Sequence, residues 1–217
     1  MRSKSEVVEL YSTRTTLYQR FVNAVAYPRG IRAYFEKSDY LKSQLHVLDA
    51  GCGSGIATFA LRKALLSRGL SLGKIRCFDI TPDMLDHFRE NLRAMEIEGI
   101  ETIQADVLNL ESLPEDWRDF DLITSAAMME YLPADRFFEA LAGLRSRLSS
   151  HGVFVLFITR DNLLTRWLIR DWWKARCYTK AELERAFDRA GFSSITFSRF
   201  PHPYKHLSLW GHIVEAA

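Results

Sequence analysis

Cysteine is scarce in this 217-residue chain: Cys52, Cys77 and Cys177 form an odd set with no CxxC spacing. That argues against a disulfide framework, and a reducing compartment is the simpler expectation. Two of the three fall in or beside predicted strands, where a thiol behaves as a small hydrophobe. No apolar run approaches the roughly 18 residues that a bilayer crossing needs. The N-terminus lacks the apolar core of a secretory signal. A cytoplasmic protein is therefore expected, with peripheral membrane contact left open. The six histidines show no HExxH run or other metal-ligand spacing, so no metal is expected. No GK[ST] ending closes a phosphate-binding loop, and neither internal repeats nor low-complexity linkers occur. A net charge of +2 is too small to require a nucleic-acid or membrane partner.

What the chain does contain is core. Hydrophobic residues make up 47%, enough for one sizeable domain. Charge is unevenly distributed: Asp79 to Asp121 carries 13 acidic and 3 basic side chains, whereas Met1 to His46 carries 8 basic and 4 acidic ones. Residues 1–44 read as a helical cap with a break at Pro28 and Gly30, and residues 45–217 as the main domain. From there strand and helix alternate. HVLDA is a strand, and Ser54 to Ser67 a helix. Lys74 to Asp79 is a strand, followed by a helix Asp83 to Met95 that opens at TPDM with Thr81 as N-cap. Strands follow at Glu101 to Ala105, Asp121 to Ser125 and Gly152 to Ile158, with a helix at Pro133 to Leu148 before the last of these. The stretch Asp161 to Arg176 and the segment Lys180 to Ala190 read as helices, the second opened by a Thr179/Glu182 capping box. Strands Ser194 to Phe200 and His206 to Val214 close the chain as a hairpin. Such an order predicts a three-layer α/β/α domain.

The chemistry is concentrated at strand ends. Gly51, Gly53 and Gly55 in LDAGCGSG give GxGxG between a strand and a helix, which suits a cofactor turn and departs from the GxGxxG of dinucleotide folds. Asp49 ends the first strand, Asp79 ends the second and Asp106 follows the third. In an open parallel sheet these positions lie on the carboxyl edge, where ligands bind. A carboxylate at Asp79 can accept both hydroxyls of a ribose, and one at Asp106 can accept from an exocyclic amino group. Asp49 can either anchor the glycine loop or face a cationic ligand group.

With these residues in place, the sequence resembles the class I, Rossmann-like S-adenosylmethionine-dependent methyltransferases, in particular their small-molecule branch. VLDAGCGSG is similar to their first motif, FDITPDML to the second, QADVLNL to the third, FDLITSAAMMEYLP to the fourth and GVFVLFITR to the fifth. YTKAELERAFDRAGF is similar to a late segment of small-molecule members. The resemblance runs from Leu45 to Val214. It implies a seven-stranded sheet of order 3-2-1-4-5-7-6 with strand 7 antiparallel, and S-adenosyl-L-methionine as cofactor. It places Asp49, Gly51, Cys52, Gly53 and Gly55 on the methionine side, Asp79 on the ribose, and Ile80, Asp106 and Val107 at the adenine. Met84 packs near the adenosine, and Ser125 and Ala126 lie near the methionine.

Acceptor signatures are sparse. No NPPY-like run or Pro-Cys nucleophile follows the fourth strand, which argues against amino-methylating DNA enzymes and cytosine carbon-5 chemistry. A small molecule with an apolar or lipid-like body is the expected acceptor, with direct displacement at the sulfonium methyl. An RNA or protein acceptor and a non-catalytic cofactor-binding partner are the rivals. Nucleic acid is disfavoured by the acidic middle of the chain. Candidate acceptor-side residues are Tyr11 and Tyr18, seven apart on one helical face, with Glu130 and Tyr131 after the fourth strand and Arg160 after the fifth. Relatives often carry Glu-His where this chain has Glu130-Tyr131, which weakens the case for a histidine base. Residues 163–176 interleave Trp167, Trp172 and Trp173 with Arg166, Arg170, Lys174 and Arg176. They can pack on the sheet, cover an apolar substrate, rest on an anionic membrane or stack nucleobases.

Overall fold

The computed structural model describes residues 25–165 and 175–217. Tyr11, Tyr18 and most of the Trp/Arg stretch lie outside these residues. Helix α1 (Tyr27–Glu36) precedes β1 (Val47–Ala50), α2 (Ile56–Ser67), β2 (Ile75–Asp79), α3 (Pro82–Ala94) and β3 (Ile100–Gln104). Then follow β4 (Phe120–Ala126), α4 (Phe137–Arg145), β5 (Leu148–Thr159), α5 (Lys180–Arg189), β6 (Ile195–Ser198) and β7 (Gly211–Ala216). The sheet order is β3-β2-β1-β4-β5-β7-β6. Strands β1 to β5 pair in parallel, and β7 runs antiparallel to both β5 and β6. This is the three-layer architecture and strand order expected above.

Alternation along the central strands divides the core between two helical layers. Leu122, Val155, Phe157 and Ile213 face α1, α2 and α3, where Phe35, Leu61 and Phe88 are buried. Ile123, Phe154, Leu156 and Val214 face α4 and α5, where Phe137, Leu141 and Phe187 are buried. Phe154 stacks on Phe187 and Phe192 at centroid distances of 5.8 and 5.9 Å. Each such buried phenyl is worth about 1.5–3 kcal/mol of transfer free energy.

Three local expectations are corrected. The helix after β4 is shorter, and β5 begins at Leu148 rather than Gly152. Gly152 sits inside that strand because a Cβ there would lie 2.5 Å from the Phe120 carbonyl oxygen. The last strand begins at Gly211, since Lys205–Leu209 forms a 3-10 helix that buries Leu207 against Gly30 of α1. Thr81 stands at the N-cap of α3, but its side chain makes no capping bond. The Thr179/Glu182 capping box does form: the Thr179 hydroxyl accepts from Glu182 N at 3.3 Å, and Glu182 Oε2 accepts from Thr179 N at 2.8 Å.

Helix α1 is held at its start by the far end of the chain. Tyr27 lies 6.2 Å from the Phe200 ring, and His206 Nε2 donates to the Val25 carbonyl at 3.1 Å. Among the described residues, no helix is long and apolar enough to cross a membrane.

Candidate functional site

Between β1 and β4 the strand order reverses direction, opening a crevice at the carboxyl edge. A cavity of about 250 Å³ fills it. One wall is the turn after β1. Gly51 N and Cys52 N both donate to the Phe78 carbonyl, at 2.8 and 3.0 Å, so the loop is folded over the end of β2. Gly51 has φ +71°, and a Cβ on it would lie 2.3 Å from Met128 Cγ. Gly53 (φ +52°) is different: a Cβ there would meet only Met84 Cε, at 3.3 Å. Gly51 is thus demanded by packing and backbone alike, whereas Gly53 leaves its space to the cavity.

Asp79 is oriented by the backbone. Its Oδ2 accepts from Gly53 N and its Oδ1 from Thr81 N, both at 2.8 Å. Each oxygen keeps a second acceptor site, and the side chain lines the cavity. Burial raises its pKa while these backbone bonds oppose the rise. Asp49 is only 1% exposed. Its Oδ2 accepts from Thr58 N at 3.1 Å and from Thr58 Oγ1 at 2.5 Å, and its Oδ1 has no hydrogen-bond partner. Burial pushes this carboxyl up to about 7 against the Thr58 bonds, and the Asp79 charge adds to the rise. Oδ2 is thus bonded to Thr58 in the first turn of α2 rather than to the glycine loop, and the orphaned Oδ1 has the chemistry to face a cationic ligand group.

Asp106 lines the cavity and accepts from Leu108 N at 3.0 Å, while Ile80, Met84 and Val107 supply apolar surface beside it. Cys52 also lines the cavity; burial and the neighbouring Cys77 raise its thiol pKa, as befits an unreactive small side chain. Ala126 reaches the cavity, but Ser125 is fully buried on the other face of β4 and does not line it.

On the opposite wall, Tyr131 lines the cavity. Glu130 does not; it lies behind that wall, and its Oε1 accepts from Thr159 Oγ1 at 2.9 Å. Arg160 is exposed, turned toward the Ser208 carbonyl at 3.4 Å, and is not part of the lining. Among the lining residues that the sequence did not single out are Tyr27, Ala127, Met128, Leu132 and Pro133. Ala127 has φ +55°, an uncommon conformation for alanine, just where β4 turns into the wall. Tyr27 carried one signal: it stands directly before Pro28, at the start of a helix. Among the described residues, no group of three or more His, Cys, Asp and Glu could hold a metal ion.

The residues present fit an adenosyl sulfonium cofactor. The orphaned Asp49 oxygen suits an ammonium, the free acceptor sites of Asp79 suit vicinal hydroxyls, and the open face of Gly53 admits a ligand against the backbone. Comparison with known proteins agrees. Residues 47–152 match the family model described as a methyltransferase domain. The magnesium protoporphyrin IX methyltransferase of Synechocystis PCC 6803, solved with bound SAH, superposes with a TM-score of 0.73 over 99% of both chains at 16% identity. PigF, solved with SAH, gives a TM-score of 0.75 over 99% of this chain and 62% of its own, at 19% identity. A curated relative, the rRNA N(6)-adenosine-methyltransferase METTL5 of Danio rerio, is 39% identical over 66 residues; the match spans 30% of this chain and 29% of that protein.

Proposed function

We propose that this chain, by fold and domain a class I Rossmann-like S-adenosylmethionine-dependent methyltransferase, acts on a small molecule with an apolar body. The observation that carries this reading is the mixed lining of the cavity: the carboxylates Asp49, Asp79 and Asp106 share it with Tyr27, Met128, Tyr131, Leu132 and Pro133. When bound, S-adenosylmethionine supplies an electrophilic methyl on a sulfonium, open to direct displacement. The chain's own task is to bind, align and exclude water. Asp49 holds the ammonium, Asp79 the ribose hydroxyls and Asp106 the adenine amino group, with Ile80, Met84 and Val107 against the ring. Tyr27 and the loop from Ala126 to Pro133 orient the acceptor. Leu163, where the Trp/Arg stretch begins, is 84% exposed and is offered to the apolar part of the acceptor or to a membrane surface. Similarity over 99% of both chains to an enzyme named for a porphyrin substrate supports an acceptor with a large apolar body.

RNA is the second reading, favoured by the rRNA-methylating relative. Two measurements test both. Calorimetry is expected to show S-adenosylmethionine and its demethylated product binding in preference to NAD; absence of binding refutes the cofactor assignment. A labelled-methyl screen against cell-extract fractions should place label in small metabolites or lipids. Label confined to RNA overturns the small-molecule acceptor.

A further inference from the structure

Among the described residues, four large apolar side chains stand out into solvent: Leu66, Met95, Leu163 and Leu209. Two of them belong together. Asn162 Nδ2 donates to the Leu209 carbonyl at 2.7 Å, so the residue before Leu163 is bound to Leu209 itself. Leu163 is 84% exposed and Leu209 59%. Both are held in place. Asn162 Oδ1 accepts from Thr165 N and Thr165 Oγ1 accepts from Asn162 N, each at 3.0 Å, which closes a turn around Leu163. Leu209 ends the 3-10 helix Lys205–Leu209, whose Leu207 is buried. The burial of Leu207 fixes that helix and leaves Leu209, two residues on, outside. Two leucines kept in water forgo transfer free energy that a covering surface would recover.

Their place in the sheet links them to the cavity. Thr159, which ends β5, pairs with Gly211, which begins β7, and Arg160 N donates to the Trp210 carbonyl at 2.9 Å. The leucines therefore sit on the carboxyl edge of the parallel strands, the edge that holds the cavity. Thr159 Oγ1 donates to Glu130 Oε1 at 2.9 Å and Arg176 N to the Glu130 carbonyl at 3.0 Å, in the turn whose Tyr131 lines the cavity. Charge at this edge has mostly one sign. Arg160, Arg199 and Lys205 are exposed, and none of the ion pairs among the described residues takes them up. Strands β5 and β6 both run opposite to β7, so Arg160 and Arg199, which follow them, emerge at the same edge. No acidic residue occurs from Arg199 to Ile213, and Asp161 is the one acid from Arg160 to Thr165. The acid-rich stretch Asp79 to Asp121 is centred on α3 and β3 instead, and β3 is the sheet edge farthest from β6.

We propose that Leu163 and Leu209, with Arg160, Arg199 and Lys205, form a docking surface for an anionic lipid bilayer. Two features select this occupant. Aliphatic side chains enter the acyl boundary but offer no face on which a base can stack, which favours a bilayer over RNA. Exposed cations of one sign are drawn to acidic headgroups, and firm peripheral binding needs an apolar and a basic signal together. For its purpose the surface rests on the methyl-transfer reading above: docking by this edge brings the cavity to the bilayer in which an apolar acceptor dissolves.

Vesicle flotation with the full chain is the test. At low salt the protein should float with phosphatidylcholine vesicles containing roughly 30% phosphatidylserine, and bind phosphatidylcholine alone about 10-fold or more weakly. Added salt should weaken the binding. The double variant Leu163→Ser/Leu209→Ser should lose about 10-fold or more in affinity for the anionic vesicles, with its melting temperature unchanged because both side chains are exposed. Arg199→Gln with Lys205→Gln should lose about 25-fold, at roughly five-fold per basic side chain near an anionic surface. No binding to anionic vesicles, equal binding to both kinds, or binding untouched by the leucine changes overturns the proposal. So does a leucine-dependent dimer in sedimentation, which assigns the surface to a second copy, or leucine-dependent binding of a single-stranded RNA. Calorimetry with S-adenosylhomocysteine separates the two readings. A chain that floats without binding this compound keeps the docking surface and refutes methyl transfer. A chain that binds it without floating refutes the docking surface alone.

Discussion

Asp49 should make the protein less stable in exchange for binding, and the effect can be worked out from its surroundings. Its carboxyl is raised from 3.8 to about 7 in the folded chain, chiefly by burial. The unfolded chain therefore loses this proton first. Stability falls as pH rises from the unfolded value toward the folded one and levels off above it. A gap of that size corresponds to about 4 kcal/mol at the plateau, as an upper bound. Asp49→Asn removes the titration but keeps an oxygen for Thr58. Urea unfolding of both proteins across pH 4 to 8.5 is the assay. The variant's stability relative to the native protein should climb through this range and flatten near pH 7, while the titration of Glu130, whose carboxyl burial also raises, cancels between the two. The same substitution should weaken S-adenosylmethionine, since the amide offers no charge to an ammonium. A stability difference that stays flat with pH refutes the argument, whatever its sign.

Three further outcomes are expected. Asp79→Ala should fold yet lose about 10²-fold or more in cofactor affinity by calorimetry, because two charge-assisted bonds to the ribose disappear together with the anchor for Gly53 N. Gly51→Ala should lower the melting temperature and displace Met128; the positive φ alone costs about 1–2 kcal/mol, and the Cβ contact with Met128 adds to it. Thr179→Ala should cost about 1 kcal/mol in chemical unfolding with cofactor affinity untouched, since α5 lies away from the cavity.

That the strand-end carboxylates meet in one cavity was legible in the sequence because it is written in local signals. Asp49, Asp79 and Asp106 each sit within a residue or two of a strand end, and chain order in a parallel sheet brings successive ends to one edge. The cavity lining away from these strand ends is assembled otherwise. Tyr27 reaches the cavity only because α1 is braced from residues near 200, and no local pattern announces such a pairing. Ser125 and Ala126 show the limit at finer grain: adjacent in the chain, they face opposite sides of β4, and only the second meets the cavity. Arg160 was placed correctly at the end of β5, but the direction of its side chain depends on the Ser208 carbonyl, which the 3-10 turn Lys205–Leu209 presents. That turn was missed because HLSL alternates as a strand would, while Leu207 is recruited into the core under α1.

The brace between α1 and the last hairpin bears on how the molecule is made. Val25 meets His206 and Gly30 meets Leu207, contacts that close nearly the whole length of the chain. Loop closure over such a span is entropically costly and comes late. During synthesis the turn after β1 can meet β2 as soon as both strands have emerged, whereas the contacts of Tyr27 with Phe200 and of Val25 with His206 wait until those residues arrive. The growing chain would then complete the turn after β1 well before the contacts that brace Tyr27 at the cavity.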